Sequence, residues 1–260
     1  MADASPPGFL TMSANVVRAP ARNARINGTS ATAPVKIIES APIPGGGTLQ
    51  LARCGGEFSI QFCTDELMGS HDHISEEALA TMACERLGGS GDRILIGGLG
   101  MGFTLRAALS AWPASTRIVV AELVPEIVAW ANGPLAHLHG DSLSDPRVAI
   151  ELADVHDVIA ATDAAFDAIL LDVDNGPDGF MRAENDRIYC AWGLASAYAA
   201  LRPNGVLAVW SAYPDADFQS RLEDVGFRVE EVDISAFEGS VSERHHIWLA
   251  EKRRTLSRRR

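Results

Sequence analysis

After residue 92 the chain alternates short apolar runs with amphipathic stretches. Runs that read as buried strands lie at 93–98, 116–123, 148–153, 167–173, 205–211, 227–234 and 245–251, and helical patterns fall near 102–111, 125–132, 154–162, 185–201 and 215–225. Such alternation demands a parallel sheet, because each helix carries the chain back to start the next strand in the same direction, and it covers both faces of that sheet. The last two runs depart from the pattern. No helix of adequate length separates Val229–Ile234 from His246–Ala250, so these strands are expected to pair antiparallel through the loop at 235–244. The expected fold class is therefore α/β, with a mostly parallel, Rossmann-like seven-stranded sheet and an antiparallel last strand.

The chain ahead of this unit reads differently. Residues 1–34 are rich in Ala, Ser, Pro, Asn and Arg, show no sustained period and hold one acid, Asp3, a composition expected of a disordered segment. Within 35–72, Val35–Ile38, Leu49–Ala52 and Phe58–Phe62 are punctuated by Gly45-Gly46-Gly47 and Gly55-Gly56, which predicts a small N-terminal β-hairpin unit. Ser75 is expected to cap the next helix, with Glu76 and Glu77 in its first turn, Leu79, Met82, Ala83 and Leu87 on one apolar face, and Gly88-Gly89 at its end. The α/β unit then runs over 73–252 and a basic tail over 253–260.

Charge and composition exclude some functions. A net charge of -12 and a pI near 5.0 argue against general nucleic-acid binding, which rests on clustered Lys and Arg. The basic stretch from Lys252 to Arg260 reads as a solvated tail. No run approaches the roughly 18 apolar residues of a membrane span, and no charged-then-apolar secretory layout opens the chain. Cys54, Cys63, Cys84 and Cys190 have no Cys-x-x-Cys spacing and read as reduced thiols, so a cytoplasmic protein is expected.

Within the α/β unit, Arg93-Ile94-Leu95-Ile96-Gly97 empties into Gly98-Leu99-Gly100-Met101-Gly102 and then a helical pattern. Glycines at 98, 100 and 102 let the backbone turn sharply and lie against a ligand, and the following helix is expected to offer unpaired N–H groups. In open sheets ligands bind at the carboxyl ends of strands, and acids stand there. Glu122, twenty residues past Gly102, suits the ribose hydroxyls. Asp154 suits the adenine edge, although an Asp capping the next helix would look the same. Asp172 ends the fourth strand and Asp174 lies two residues on, a pair suited to orienting or deprotonating an amine, or to holding a sulfonium by charge.

Taken together, Gly98–Arg106, Glu122-Leu123, Asp145-Pro146-Arg147-Val148, Ala153-Asp154 and Phe166–Asp172 resemble the spermidine synthase (polyamine aminopropyltransferase) family across about 47–212. The resemblance implies a class I methyltransferase-like fold behind a small β domain. It also implies a sulfonium donor, S-adenosylmethionine or its decarboxylated form, held by Gly98, Gly100, Met101, Gly102, Glu122, Leu123, Asp154, Val155 and Asp172. Asp172 and Asp174 become the catalytic candidates, and Glu77, Asp174, Asn175 and Tyr189 the acceptor-binding ones, with Trp210, Ser211 and Tyr213 as further candidates for the pocket wall. The family needs no metal and commonly assembles through its β domain, so a homodimer is expected.

The sequence also departs from the family. Met101 stands where the family has an Asp holding the donor's amine, Asn175 takes the place of its second catalytic Asp, and of its Tyr-His-Glu only the Glu survives in Ser75-Glu76-Glu77. With no acid at 101, the α-carboxylate of intact S-adenosylmethionine would escape a like-charge repulsion of about 1–4 kcal/mol. Three readings follow: an aminopropyl transferase acting on a small amine, a small-molecule methyltransferase, and a non-catalytic nucleoside-binding protein. His71 and His73, His137 and His139, and His245 and His246 have no third ligand at metal-binding spacing, and no metal is expected.

Overall fold

In the computed structural model the residues described are 33–63, 65–173, 175–177, 186–236 and 243–253. Four short strands come first: β1 (Lys36–Pro42), β2 (Thr48–Cys54), β3 (Glu57–Phe62) and β4 (Asp65–Gly69), paired antiparallel in chain order. The period-two alternation seen in the sequence turns Leu49 and Leu51 of β2 and Phe58 and Ile60 of β3 inward. The fourth strand was not expected. It is half-buried at four successive positions, so it carries no alternation to read, and it pairs with β3 across a register shift between Ile60 and Gln61.

Helix α1 (Ile74–Arg86) starts two residues earlier than a cap at Ser75 would set it. His73 is the N-cap residue, and Ser75 lies inside the first turn, fully buried, with its hydroxyl engaged by side chains. The capping assignment of Ser75 is thus corrected: a serine facing the core spends its oxygen there. The helix closes at Leu87, as Gly88 and Gly89 turn left-handed.

Beyond α1 come β5 (Arg93–Gly97), α2 (Phe103–Ala111), β6 (Arg117–Glu122), α3 (Pro125–Asn132), α4 (Ala136–His139), β7 (Val148–Leu152), α5 (Val155–Ala160) and β8 (Phe166–Leu171). They are followed by α6 (Asp186–Tyr189), α7 (Ala191–Ala200), β9 (Leu201–Ser211), α8 (Phe218–Val225), β10 (Phe227–Ser235) and β11 (Arg244–Lys252). The expected single helix over 185–201 is two, broken at Cys190, whose backbone is extended. The sheet order is β10-β11-β9-β8-β5-β6-β7, parallel from β9 to β7, with β11 inserted antiparallel between β9 and β10.

Alternation along the buried strands divides the core in two. Ile94, Ile96, Val120 and Leu170 join α1, α2, α3 and the small sheet on one face. Leu95, Val119, Ile169 and Leu171 pack with α5, α6, α7 and α8 on the other. The strand order reverses between β5 and β8, which opens a crevice at their carboxyl ends. Among the described residues no helix is long and apolar enough to cross a membrane.

Candidate functional site

A cleft with about 1020 Å³ of open space lies over that crevice. Its floor comes from the strand ends: Gly98 and Gly100 after β5, Ala121 to Val124 around the end of β6, Ala153 to Val155 after β7, Asp172 and Val173 after β8, and Trp210 in β9. Its apolar wall comes from the small sheet, with Leu49, Ile60, Phe62, Leu67 and Met68, and α1 adds Glu76. The two sheets therefore build one site.

The turn after β5 is held from within. Gly98 has φ 88, and a Cβ there would collide with the carbonyl oxygen of Asp172, so only glycine lets the two strand ends come together. The N–H of Gly98 donates to Ala121 O, that of Leu99 to Glu122 Oε2, that of Gly102 to Leu99 O, and that of Met101 to the thioether sulfur of Met68. The amides of Gly98, Leu99, Met101 and Gly102 are thus engaged within the protein. The turn shapes the cleft without being an anion nest.

Glu122, at the end of β6, is 7% exposed and lines the cleft. Its two oxygens accept from Leu99 N at 2.9 Å and Val124 N at 2.8 Å. Burial pushes its carboxyl above the usual range, and the surrounding backbone amides pull it back. Asp154 is a helix cap that also lines the cleft: Oδ1 caps α5 through His156 N, and Oδ2 pairs with Arg187 Nη2 at 3.0 Å. Leu123 and Val155 lie beside these acids as expected.

Asp172 follows β8, and its Oδ2 accepts from Thr104 Oγ1 at 2.7 Å. Burial raises its pKa to about 6, opposed by that hydroxyl. Its candidate partner Asp174 lies outside the described residues. The other expected site residues are placed elsewhere. Met101 is fully buried in the core and does not line the cleft. Gly102 is the left-handed N-cap of α2, packed on His139. Tyr189 is buried against Phe218 beneath the sheet, and Asn175 is buried with its carbonyl tied to Ser211 Oγ and Ala212 N. Neither lines the cleft.

The acid of α1 that reaches the cleft is Glu76, not Glu77. Glu77 points outward and pairs with His73 Nδ1 at 2.9 Å. The signal was present in helical spacing: Glu76 stands three, four and seven residues before Leu79, Ala80 and Ala83, all buried. Leu67 and Met68 went unread because β4 did. Trp210, a candidate for the pocket wall, lines the cleft and donates its Nε1–H to Ser75 Oγ at 2.9 Å.

The electrostatic result is one-sided. Glu76, Glu122, Asp154 and Asp172 line the cleft, and no Lys, Arg or His lines it among the described residues. Of the histidines, His246 acquires partners that sequence spacing did not reveal: with Glu231 and Asp233 it brings ligand atoms within 4.8 Å of one another. Strand pairing sets Asp233 opposite His246, on the face of the sheet away from α1 and the cleft.

No protein-family model matches the chain. Over 172 residues it is 30% identical to the polyamine aminopropyltransferase of Mycobacterium tuberculosis (strain ATCC 25618 / H37Rv), covering 65% of this chain and 30% of that one. Over 103 residues it is 32% identical to the polyamine aminopropyltransferase of Synechococcus sp. (strain JA-3-3Ab), covering 40% of this chain and 32% of that one. The matches thus span about a third of the length of these curated relatives. In structure it is similar to spermidine synthase from Thermotoga maritima, with a TM-score of 0.67 at 17% identity, covering 84% of this chain and 72% of that one. A spermidine synthase in complex with the transition-state analogue AdoDATO gives 0.65, at the same identity and coverage. In sequence the chain is similar to polyamine aminopropyltransferases, and in fold to spermidine synthase.

Proposed function

We propose that the chain transfers an aminopropyl group from decarboxylated S-adenosylmethionine to a small amine. The observation that carries this reading is the charge of the cleft: four carboxylates line it, one of them, Asp154, paired with Arg187 from outside the lining, and among the described residues no cationic side chain lines it. A sulfonium donor and an amine are both cations, so each gains from this field in a site of low dielectric. Glu122 and Asp154 take the nucleoside end of the donor. Asp172 and Glu76 face the reacting groups, with Asp174 kept as a further candidate base.

The reaction is a displacement in line with the C–S bond, so the protein contributes alignment and a neutral nucleophile. Intact S-adenosylmethionine fits less well. Its α-carboxylate would enter among acids, and the amides of Gly98, Leu99, Met101 and Gly102 that could receive it are engaged. Incubation of purified protein with each donor and putrescine tests the reading. Methylthioadenosine formed from the decarboxylated donor alone is the expected result, and S-adenosylhomocysteine formed from the intact donor would overturn it.

A further inference from the structure

Ser75 is fully buried, one residue from the cleft acid Glu76, and its hydroxyl oxygen meets three groups. Glu76 Oε2 lies at 2.6 Å, His245 Nδ1 at 2.7 Å and Trp210 Nε1 at 2.9 Å. An indole N–H only donates, so Trp210 occupies one lone pair of Oγ. One hydroxyl proton and one lone pair remain for two close neighbours. If Glu76 is ionised it accepts the serine proton, and His245 Nδ1 must carry a proton and donate to Oγ. If His245 Nδ1 is bare it accepts the serine proton, and Glu76 must be the acid that donates. The two arrangements keep the same heavy-atom contacts and differ in which end of the trio holds the second proton.

Resting on the proposed transfer to an amine, we propose that Glu76, Ser75 and His245 carry away the proton the acceptor must lose before it can attack. From the arrangement with a bare His245 Nδ1, Glu76 donates to Ser75 Oγ while the serine proton moves to Nδ1, leaving a carboxylate and an imidazolium. The carboxylate then takes the proton that the ammonium gives up. The free amine attacks carbon, the N–C bond forms, the C–S⁺ bond breaks with its electron pair going to sulfur, and the positive charge stays on the product amine. Imidazolium is about two pKa units less acidic than a carboxylic acid in water, so passing the proton inward favours the neutral amine. Ser75 and His245 act through Glu76 and are positioning residues.

The other charged groups nearby are committed elsewhere. On α1, His73 pairs with Glu77, and Arg86 pairs with Glu230 and Glu251. From β8 the facing acid is Asp172, bonded to Thr104 of α2, and Arg106 of α2 donates to Leu138 O. On β10 and β11, Glu231 and Asp233 meet His246 on the opposite face, and Arg244 donates to Asp233 O.

The test is the pH profile of Ser75→Ala and His245→Gln, with His246→Gln as the control on the opposite face. Both trio variants are expected to lose about 10–100-fold in kcat/KM near pH 7.5, within the range of general acid–base effects. The deficit should close to within about threefold near pH 10, where a substantial fraction of the amine is neutral in solution, while the control follows wild type. A deficit constant from pH 7 to 10, with methylthioadenosine binding intact, overturns the proposal, as does no deficit at all. Should wild type transfer nothing from the decarboxylated donor, the functional reading fails, and the trio is judged by nuclear magnetic resonance of the His245 ring. Glu76→Gln should then lower the titration midpoint of His245 by about one unit. An unmoved midpoint overturns the shared proton.

Discussion

Met68 Sδ lies 3.2 Å from the backbone nitrogen of Met101 and accepts its N–H, so a strand of the small sheet closes the glycine turn of the large one. The same thioether stands over Gly100, where a Cβ would lie 2.9 Å from both its sulfur and its methyl carbon. Met68→Leu keeps the apolar volume and gives up a weak acceptor. It should weaken methylthioadenosine binding less than about threefold. Met68→Ala also removes the packing on the turn, roughly 1–2 kcal/mol for a partly buried side chain. About tenfold weaker binding by calorimetry is expected, and binding equal to wild type would remove Met68 from the site.

Glu122 offers two acceptor oxygens to two N–H donors, Leu99 and Val124. Glutamine has nearly the same shape but presents one oxygen and one NH₂, so one of those amides would face a donor. An unsatisfied buried amide costs about 1–3 kcal/mol. Glu122→Gln is therefore expected to lower Tm by several degrees, at about 2–4 °C per kcal/mol for a chain of this size, and to weaken nucleoside binding at least about tenfold. Unchanged melting would show that the carboxylate does not hold the turn.

How legible the molecule was in its sequence depended on whether a residue's partner was local. The parallel sheet, its antiparallel end and the turn at Gly98 are written in nearest-neighbour patterns, and the structure follows them. Glu122 and Asp154 were readable because strand ends in such a sheet point at one crevice. Glu77 and Tyr189 were read as acceptor contacts by alignment to a motif, which gives order along the chain but not which side of a helix faces the cleft. Helical spacing alone would have chosen Glu76. The meeting of Ser75 with His245, and of His246 with Glu231 and Asp233, joins residues far apart in the chain or across a strand pair, and no local period carries it.

Thr104 donates to Asp172 Oδ2 and so favours the carboxylate, against burial that holds its pKa near 6. Thr104→Val keeps the shape and deletes the donor. The carboxyl then moves further up, by about one to two units if a hydrogen bond to a charged group contributes roughly 1.5–3 kcal/mol. If the carboxylate is the form that assists the amine, the acid limb of kcat/KM should move to higher pH by that amount. A limb that stays in place would assign it to another group.

Asp172 and His139 should pull stability in opposite directions as pH changes. The folded protein raises Asp172 from 3.8 to about 6, so between those values it holds a proton that the unfolded chain releases. Its contribution to stability falls as pH rises through that window. Burial lowers buried His139 from 6.5 to about 4, so there the unfolded chain binds the proton instead. Its contribution is complete above about pH 6.5 and is lost as pH falls toward 4. Removing either group exposes the slope of the other. The stability of Asp172→Asn relative to wild type should rise with pH from 4 to 6, and that of His139→Gln should fall over the same range. Thermal melts of the three proteins at half-unit pH steps read both slopes, and two slopes of the same sign would refute the assignment of one of the two buried groups.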